Sequence, residues 1–526
     1  MDRPFTRRLR LTSLRGFRPA LAPLTGRDVA TMWKRRFQEG PEGHPFWLYV
    51  HIPFCPQICS FCQCKTGRLF AAAQLDEYLD WLEAEVGLLL PDALRGRVRF
   101  SYIGGGTPNI FDDAQLERLL TLLGRSFRYE DEARRCFEFL PSALRPGTLA
   151  QVRRHGFNRL SCGVQSQNED VLVRIQRSSG NLDRMASIVA EAFALGFDEL
   201  NLDLVWGLDD EASGAFVDSL TRTLALGATT VTVHKLIPTH SNPFLRTEED
   251  EIAHDNRFRA LRARVGDAVE RVAPGYVWVL RPNSWVLAKR EFVASPRFSL
   301  WYYSDNERIH LDMLGLGRHA SSRLMGQCVY DNVSRSTRYD PDEPSYATFQ
   351  ADPSSDAALD LVTDLIADGA SELDALDARY GAPWVAALDE PLRRLQADGV
   401  VRVDGRVVRY LLGEQVFVDQ FQPLLDVARG PAVGEPAGEE GGVLVRRGAD
   451  SLRVVVERSK RTRRYYATVG PMGVFYQPAP GRPDPPQYVV EAIMASVVGE
   501  LERALAARPG DDAAAVMRRL RDALGS

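Results

Sequence analysis

The chain has 526 residues, of which 45% are apolar and 26% are charged, which is enough for two or three globular domains with substantial cores. Its 65 basic and 70 acidic residues give a net charge of -5, which offers no general attraction for nucleic acid or for a membrane surface. No apolar run reaches the length of a membrane span, and the Arg-rich start lacks the apolar core of a signal peptide. We therefore expect a cytoplasmic protein without nucleic-acid or membrane partners.

Strands and helices are predicted to alternate after an N-terminal extension, residues 1–45, which ends in a turn-rich break. The β-rich apolar runs are residues 46–51, 98–103, 136–140, 158–164, 199–205 and 229–237. The amphipathic runs between them are residues 75–90, 114–123, 183–195 and 215–226. This alternation predicts a parallel α/β sheet, open or closed into a barrel, with its chemistry at the carboxyl ends of the strands.

Four of the seven cysteines lie within ten residues, directly after the first predicted strand: Cys55, Cys59, Cys62 and Cys64. The spacing Cys-x3-Cys-x2-Cys of the first three can hold three irons of a 4Fe-4S cube, which leaves the fourth iron open to a small molecule. A structural zinc site would need a second pair of ligands about a dozen residues away, and a set of buried or disulfide-forming thiols is a third alternative. We favour the cluster, because the second pair is missing and an odd cysteine count indicates a reducing compartment.

Further polar and glycine-rich motifs follow the later strands, one after another. They are Gly104-Gly105-Gly106-Thr107-Pro108, Glu138, Gln165 with Arg177 twelve residues on, and Asp203. The glycines either let the backbone approach a ligand or form a tight turn, and a carboxylate among apolar residues is costly unless something pairs with it. A buried structural role is the alternative for Asp203.

These motifs, with the lead-in Tyr-Val-His-Ile-Pro-Phe at residues 49–54, resemble the radical S-adenosylmethionine (SAM) superfamily over residues 46–425. The likeness is to the branch that contains oxygen-independent coproporphyrinogen III oxidase and its heme-chaperone relatives. The resemblance implies a partial (βα)6 TIM-like barrel with a 4Fe-4S cluster on Cys55, Cys59 and Cys62. In this superfamily the open iron chelates SAM, and one electron cleaves SAM to methionine and a 5'-deoxyadenosyl radical.

The resemblance also implies which other residues form the site. The expected SAM contacts are Tyr49, Phe61, Gly105, Gly106, Thr107, Glu138, Gln165, Arg177 and Asp203. Tyr49 and Cys64 are the expected catalytic residues, and Cys64 matches a cysteine of the oxidase that does not ligate iron. Arg318 and His319 stand where the family has small residues after a Gly-Leu-Gly turn, and we consider His234 and His319 as further candidates.

The domain organisation follows partly from this resemblance. We predict a partial barrel over residues 46–290, a small helical, winged-helix-like cover domain over 291–429 with a hairpin near 400–411, and a linker over 430–442. Residues 443–526 are predicted to form an additional α+β domain, with strands at 443–447, 452–457 and 465–476 and a helix at 487–506. Its basic run at 458–464 is either a solvated loop or a contact for an acidic partner.

Three functions compete within this branch. Heme trafficking would need a His-Asn-x-x-Tyr-Trp segment, and residues 303–308 read Tyr-Ser-Asp-Asn-Glu-Arg instead. Oxidative decarboxylation is favoured by Cys64, but residues 1–45 lack the lead-in of that enzyme and the C-terminal domain is foreign to it. We therefore predict C-methylation or cyclopropanation of a small natural product with two SAM molecules, with the decarboxylase as the alternative. The second SAM would lie among the cysteine loop, Pro238 and the turn at residues 315–317, and a flavodoxin or ferredoxin would supply one electron.

Overall fold

The computed structural model describes residues 22–411, with gaps at 40–42, 63, 90–95, 178–181, 209–213, 237–247, 282–283, 296–310, 326, 351–352 and 368. It also describes Leu424 and four strands between residues 442 and 476. Outside the described residues lie Pro238, the stretch at 303–308, residues 430–441 of the predicted linker, residues 459–464 of the predicted basic run at 458–464, and the predicted helix at 487–506.

A sheet of twelve strands forms the centre of the fold. Its strands are β1 (Pro45–Ile52), β4 (Arg97–Gly105), β5 (Tyr129–Phe139), β6 (Arg159–Gln165), β7 (Glu199–Trp206), β8 (Thr230–Lys235), β9 (Tyr276–Arg281), β10 (Ser284–Lys289), β11 (Asp312–Leu316), β12 (Ser321–Leu324), β13 (Cys328–Asn332) and β14 (Tyr346–Gln350). Two short strands of the cysteine loop, β2 (Phe54–Cys55) and β3 (Gly67–Arg68), pair with each other. The order across the sheet is β14-β13-β12-β11-β1-β4-β5-β6-β7-β8-β10-β9.

Six consecutive parallel strands, β1 and β4 to β8, form the middle of this sheet, and β11 extends it in parallel on the other side of β1. The helices along the chain are α1 (Gly26–Glu39), α2 (Ala73–Leu89), α3 (Asp113–Ser126), α4 (Thr148–Arg154), α5 (Glu169–Arg174), α6 (Leu182–Ala194), α7 (Ala215–Ala225), α8 (Glu248–Val272) and α9 (Arg290–Val293). A helix follows each of the six parallel strands, which confirms the predicted α/β sheet of six βα units.

The two faces of the sheet have different compositions. The larger apolar core joins one face to the helices, and it includes Leu48, Val50, Leu79, Leu119 and Leu202. On the other face, here called the inner face, a smaller core contains Trp47, Phe100, Cys136, Val286 and Met313. Side chains alternate between the faces of a strand, so the near-continuous apolar run of β1 serves both cores. In β7, apolar side chains alternate with Glu199, Asn201 and Asp203, and of these two cores only the larger receives residues from it.

The main sheet extends beyond the part of the sequence assigned to it. Strands β11 to β14 belong to it, so the predicted boundary at residue 290 lies within the residues that build this sheet. Part of the predicted N-terminal extension belongs to the fold, because α1 buries Val29, Trp33 and Phe37 in the larger core. The sequence signal for these strands is weak, since β12 to β14 are short and carry many polar residues.

A separate small core lies in the helical region that follows. It is built from α10 (Pro353–Ala367), α11 (Leu373–Tyr380), α12 (Ala382–Ala386), α13 (Asp389–Ala397) and the sheet of β15 (Ala370–Glu372), β16 (Val401–Asp404) and β17 (Val407–Tyr410). The hairpin near residues 400–411 is present, and the pairing of Asp404 with Val407 makes Gly405 and Arg406 its turn residues. Helices with a small antiparallel sheet agree with a winged-helix-like unit.

The C-terminal region contains a four-stranded antiparallel sheet. Its strands are β18 (Gly442–Arg447), β19 (Asp450–Arg458), β20 (Tyr465–Val469) and β21 (Met472–Tyr476), and they pair in sequence order. The third predicted strand, 465–476, is therefore two strands, β20 and β21, which pair in antiparallel with Val469 opposite Met472.

Candidate active site

The carboxyl ends of the parallel strands bring the predicted site residues to one edge of the sheet. The cysteine loop, residues 54–68, follows β1, and the glycine segment, residues 104–108, begins at the end of β4. Glu138, Gln165 and Asp203 lie at or near the ends of β5, β6 and β7. Parallel strands end on the same side, so motifs that are far apart in sequence meet here.

The cysteine loop is folded back on itself by backbone hydrogen bonds. The amide of Gly67 donates to the carbonyl of Pro53 at 2.8 Å, and the amide of Leu69 donates to that of Cys55 at 2.9 Å. On the other side, the amide of Ser60 donates to the carbonyl of Ile175 at 3.0 Å, which ties the loop to the end of α5. The loop is therefore ordered by contacts with its own chain.

All four cysteines of the loop are free thiols, and polar groups surround them. The hydroxyl of Thr107 donates to Sγ of Cys55 at 3.5 Å, and Nη1 of Arg177 donates to Sγ of Cys59 at 3.5 Å. A hydrogen bond with Cys64 lowers the pKa of Cys62 to about 6 and raises that of Cys64 well above its usual range. Burial raises the pKa of Cys55, and hydrogen bonds with Thr107 and Thr66 offset part of that rise. Hydrogen-bond donors beside a sulfur favour its thiolate, the form in which cysteine ligates a metal.

The glycine segment packs so closely against the cysteine loop that a side chain on Gly105 or Gly106 would clash. A Cβ at Gly106 would lie 2.2 Å from the carbonyl oxygen of Phe54, and one at Gly105, whose φ is +99°, would lie 2.4 Å from Nδ1 of His51. The amides of Gly105, Gly106 and Thr107 donate to Glu138, Ile52 and Phe54, respectively. These amides are engaged within the protein, so an amino group bound here would contact carbonyl oxygens of the segment.

Glu138 is the carboxylate nearest to the glycine segment. It accepts hydrogen bonds from the hydroxyl of Tyr102 and, at 3.1 Å, from the amide of Gly105. Burial raises its pKa to about 7, and the negative charge of Asp203 acts in the same direction. A bound cation would compensate this penalty, which makes Glu138 a suitable partner for an ammonium group.

Gln165 ends β6 in a strained conformation. Its φ is +69°, which is uncommon outside glycine, and its Oε1 is buried without a hydrogen-bond partner in the described part of the chain. Nε of Arg177 donates to the carbonyl of Gly163 at 3.2 Å, and a Cβ at Gly163 would lie 2.5 Å from both Arg177 and Gln165. An unsatisfied buried oxygen on a strained residue is typical of a site built for a ligand.

Asp203 is held by neighbours on three strands. It accepts hydrogen bonds from Ser161 at 3.0 Å and Asn201 at 2.7 Å, and Nε2 of His234 lies 3.2 Å from its Oδ1. Burial raises its pKa, but the bonds and charge from His234 and the bond from Asn201 outweigh burial and lower it below the usual range. Asp203 is therefore an ionised acceptor, and His234 positions it.

The part of the chain that forms this edge of the sheet matches a known protein family. Residues 49–221 match the radical SAM superfamily, and that range begins at Tyr49 and contains the cysteine loop and every strand end described above. Residues 49–221 form a radical SAM domain.

The chain is similar to curated oxidases and heme chaperones. It is 27% identical to the oxygen-independent coproporphyrinogen III oxidase of Salmonella typhimurium, over 69% of this chain and 82% of the relative. It is 31% identical to the heme chaperone HemW of Mycobacterium tuberculosis, over 45% of this chain and 61% of the relative. The solved structure of coproporphyrinogen III oxidase from Escherichia coli has the same fold, with a TM-score of 0.61 and 21% identity over 75% of this chain and 93% of that structure. No helix among the described residues is long and apolar enough to cross a membrane.

The residues of the radical SAM domain suit the groups that its family implies, a 4Fe-4S cluster and SAM. Within the described residues, no three His, Cys, Asp or Glu side chains are close enough to hold a single metal ion, as a zinc site would require. Thiolates of a cubane bind different irons and so lie farther apart. With the orphaned oxygen of Gln165 beside them, Cys55, Cys59 and Cys62 fit a cluster with a bound organic ligand; their assignment as ligands remains a prediction.

Tyr49 and His51 form a hydrogen-bonded pair, of which the sequence analysis named Tyr49 as a site residue but not His51. Nε2 of His51 lies 3.1 Å from the carbonyl of Lys65, which can only accept, so Nε2 carries the proton and Nδ1 accepts from the Tyr49 hydroxyl at 2.7 Å. Burial lowers the pKa of His51 to about 4, so it is neutral at pH 7, and burial raises the pKa of Tyr49. The alternation of Tyr49 and His51 along β1 could have shown that both face the same side.

The remaining predicted residues lie at the margins of this site. Phe61 packs on an apolar group that includes Ile175 and Leu236, so it supports the cysteine loop as well as being a candidate SAM contact. Cys64 is exposed, although its thiol lies near those of Cys62 and Cys55. His319 lies beside His51, with ring centroids 6.3 Å apart and planes at 87°.

Proposed function

We propose that this radical SAM protein is an oxidoreductase of the coproporphyrinogen III oxidase type, which oxidises a carboxylate-bearing substrate by hydrogen abstraction. The main support is that four features lie at one edge of the sheet. They are the cysteine loop, the strained Gln165 with its unpaired oxygen, and the two carboxylates Glu138 and Asp203. The oxidase relative, matched over 82% of its length, supports the choice of reaction.

Each side chain has a role that its contacts allow. Cys55, Cys59 and Cys62 would hold the cluster, and Arg177 donates a hydrogen bond to the sulfur of Cys59. Glu138 would pair with the amino group of SAM, the side-chain oxygen of Gln165 would accept a further hydrogen bond, and Asp203 would bind ribose hydroxyls. When bound, the cluster and SAM supply a 5'-deoxyadenosyl radical that removes a hydrogen atom from the substrate.

Tyr49 and Cys64 would serve the substrate side of the site. The hydroxyl of Tyr49 is fixed by His51, and Cys64 is the exposed thiol of the loop. Because His51 is already protonated on Nε2, it holds the Tyr49 hydroxyl in one orientation. A small one-electron carrier such as flavodoxin or ferredoxin is the partner we propose for reduction of the cluster.

The other two functions have less support. Methyl transfer with a second SAM was the first prediction from sequence, but the relatives compared above are named as an oxidase and a heme chaperone. Heme trafficking is disfavoured by the sequence at 303–308, which lacks the His-Asn-x-x-Tyr-Trp segment. The oxidase is therefore the proposal that agrees with both the relatives and Cys64.

Product analysis of the anaerobically reconstituted protein tests this proposal. The assay contains methyl-labelled SAM, a strong reductant, an electron acceptor and coproporphyrinogen III. We expect 5'-deoxyadenosine and carbon dioxide in equal amounts, with no S-adenosylhomocysteine. Labelled product with S-adenosylhomocysteine would replace the oxidase by a methyltransferase, and 5'-deoxyadenosine without carbon dioxide would show that the substrate is a different compound.

A further inference from the structure

The inner face of the sheet carries a row of polar side chains on β7 and β8. The leucines of β7, and Val231 and Val233 of β8, belong to the larger core on the other face. Because side chains alternate along a strand, the residues between them lie on the inner face: Glu199, Asn201, Asp203, Thr230, Thr232 and His234. Of this row, Asp203 and His234 lie nearest to the carboxyl ends of their strands, where the active site is.

The side-chain amide of Asn201 is fixed by hydrogen bonds at both ends. Its Oδ1 accepts from the hydroxyls of Thr230 at 3.0 Å and Thr232 at 2.7 Å. Its Nδ2 donates to Ser161 at 3.1 Å and to Asp203 at 2.7 Å. Since the oxygen and both amide protons are engaged within the protein, the hydrogen bond from Asn201 to Asp203 is a fixed part of the site.

The carboxylate of Asp203 has little hydrogen-bonding capacity left for a ligand. An ionised carboxylate has about four acceptor positions, two on each oxygen. Oδ1 accepts from Asn201 at 2.7 Å and from Nε2 of His234 at 3.2 Å, and Oδ2 accepts from Ser161 at 3.0 Å. A position therefore remains on Oδ2, and 18% of the Asp203 side chain is exposed. Asp203 can take one hydroxyl there, but two adjacent hydroxyls, one on each oxygen, would have to displace a protein donor.

His234 supplies the position that Asp203 lacks. A carboxylate can only accept, so Nε2 of His234 carries the proton in this pair, and among the described residues Nδ1 has no hydrogen-bond partner. The side chain is 45% exposed beside Asp203. Nδ1 accepts a hydrogen bond when the ring is neutral and donates one when the ring is charged. A hydroxyl suits both forms because it donates and accepts, whereas a carboxylate would need the charged ring.

We propose that Asp203 and His234 share the two ribose hydroxyls of SAM, with one hydroxyl on Oδ2 of Asp203 and the other on Nδ1 of His234. The two side chains are hydrogen-bonded to each other, so the ligand that fits them is a pair of adjacent hydroxyls. This inference rests on the proposed function and deepens it, because it adds a SAM contact from outside residues 49–221, the range that matches the superfamily.

Binding of SAM and of two analogues that each lack one ribose hydroxyl tests this sharing. The probes are SAM, 2'-deoxy-SAM and 3'-deoxy-SAM. Their dissociation constants for the reconstituted holoprotein are measured by equilibrium dialysis without reductant, so that no SAM is cleaved.

The variant is His234→Gln, whose amide nitrogen can take the position of Nε2 and keep the bond to Asp203, while Nδ1 is removed. The control is His155→Gln at the end of α4, because Nε2 of His155 also pairs with a carboxylate, that of Glu117, at 2.9 Å. The control removes the same type of pair away from the ends of the strands.

We expect wild type to bind each deoxy analogue about tenfold more weakly than SAM, because each analogue lacks one hydrogen bond to the protein. His234→Gln should bind SAM about tenfold more weakly than wild type does. In this variant one analogue should bind as tightly as SAM, because the hydroxyl it lacks has already lost its partner, and the other should keep its tenfold loss. His155→Gln should behave as wild type.

A merely structural role of His234 would give a different pattern. If His234→Gln weakened SAM and both analogues by the same factor, or weakened none of them, the shared contact would be overturned although SAM binding by wild type would stand. If wild type bound no SAM, the proposed function and the contact would both be overturned.

Discussion

Two buried glutamates with the same raised pKa show how differently a carboxylate can be used in this fold. Burial raises the pKa of both Glu138 and Glu85 to about 7. Glu85, on α2, is completely buried and accepts from the amide of Gly317 at 2.6 Å, from Asn332 at 3.0 Å and from Tyr346 at 2.8 Å. Glu138 has two donors and opens onto the site, where Asp203 adds to the negative charge.

This difference teaches that a perturbed pKa alone does not locate an active site. All the contacts of Glu85 come from the protein, and they tie α2 to the turn after β11 and to strands β13 and β14. Glu138 instead lies in a group of acceptors that the protein leaves incompletely paired, such as Oε1 of Gln165. The Glu85 carboxylate stabilises the fold, and the Glu138 carboxylate is suited to pair with a bound cation.

The largest expected effect is loss of the cluster. Cys55→Ala, Cys59→Ala and Cys62→Ala should each abolish it, because one thiolate fewer leaves a second iron without a protein ligand. Cys64→Ala is the matched control from the same loop and should keep the iron. Iron content and visible absorption after anaerobic reconstitution provide the measurement, and an equal loss in all four variants would contradict the ligand assignment.

Removing Glu138 should separate activity from stability. Glu138→Ala should keep the cluster and lower SAM cleavage by about 100-fold or more, because the amino group loses its charged partner. Glu85→Gln is the matched comparison, since it changes a glutamate with the same pKa outside the site and should leave cleavage close to wild type. Release of 5'-deoxyadenosine measures both, and normal cleavage by Glu138→Ala would overturn its assignment.

Removing Glu85 should have the opposite effect. Glu85→Ala leaves three buried donors, on Gly317, Asn332 and Tyr346, without an acceptor, and should lower the free energy of unfolding by about 3 kcal/mol. Glu138→Ala should cost less, because Glu138 is half-buried and its removal leaves two donors, on Tyr102 and Gly105, rather than three. Denaturant unfolding of the two variants in parallel checks this order. A smaller loss for Glu85→Ala than for Glu138→Ala would show that the roles are reversed.

The most gradual effect is on the pH dependence of stability. A carboxyl group whose pKa is about 7 when folded and about 4.5 when unfolded binds its proton more tightly in the folded state. Its stabilising contribution is therefore complete below about pH 4.5 and is lost as the pH rises through 7, by up to about 3 kcal/mol. Glu85→Gln should flatten the decline in stability between pH 5 and pH 8. An unchanged slope in this variant would show that Glu85 does not titrate there.

Much of the site could be predicted from the sequence, because local motifs follow strands whose apolar runs are clear. The six parallel strands and the positions of Glu138, Gln165 and Asp203 at their ends are of this kind. The roles of His51, Asn201 and Glu85 could not be predicted, since each depends on partners far away in sequence, such as Asn332 for Glu85. Strands β11 to β14 were also not predicted, because short strands with polar residues have little hydrophobic periodicity.

The central claim is that the strand ends around Glu138 hold SAM against a cluster on the cysteine loop. Electron paramagnetic resonance of the dithionite-reduced holoprotein, with and without SAM, tests it most directly. We predict that SAM shifts the cluster spectrum in wild type and in Glu85→Gln, and that the shift is lost in Glu138→Ala although the cluster remains. A spectrum that SAM leaves unchanged in wild type, or an equal shift in Glu138→Ala, would contradict this account.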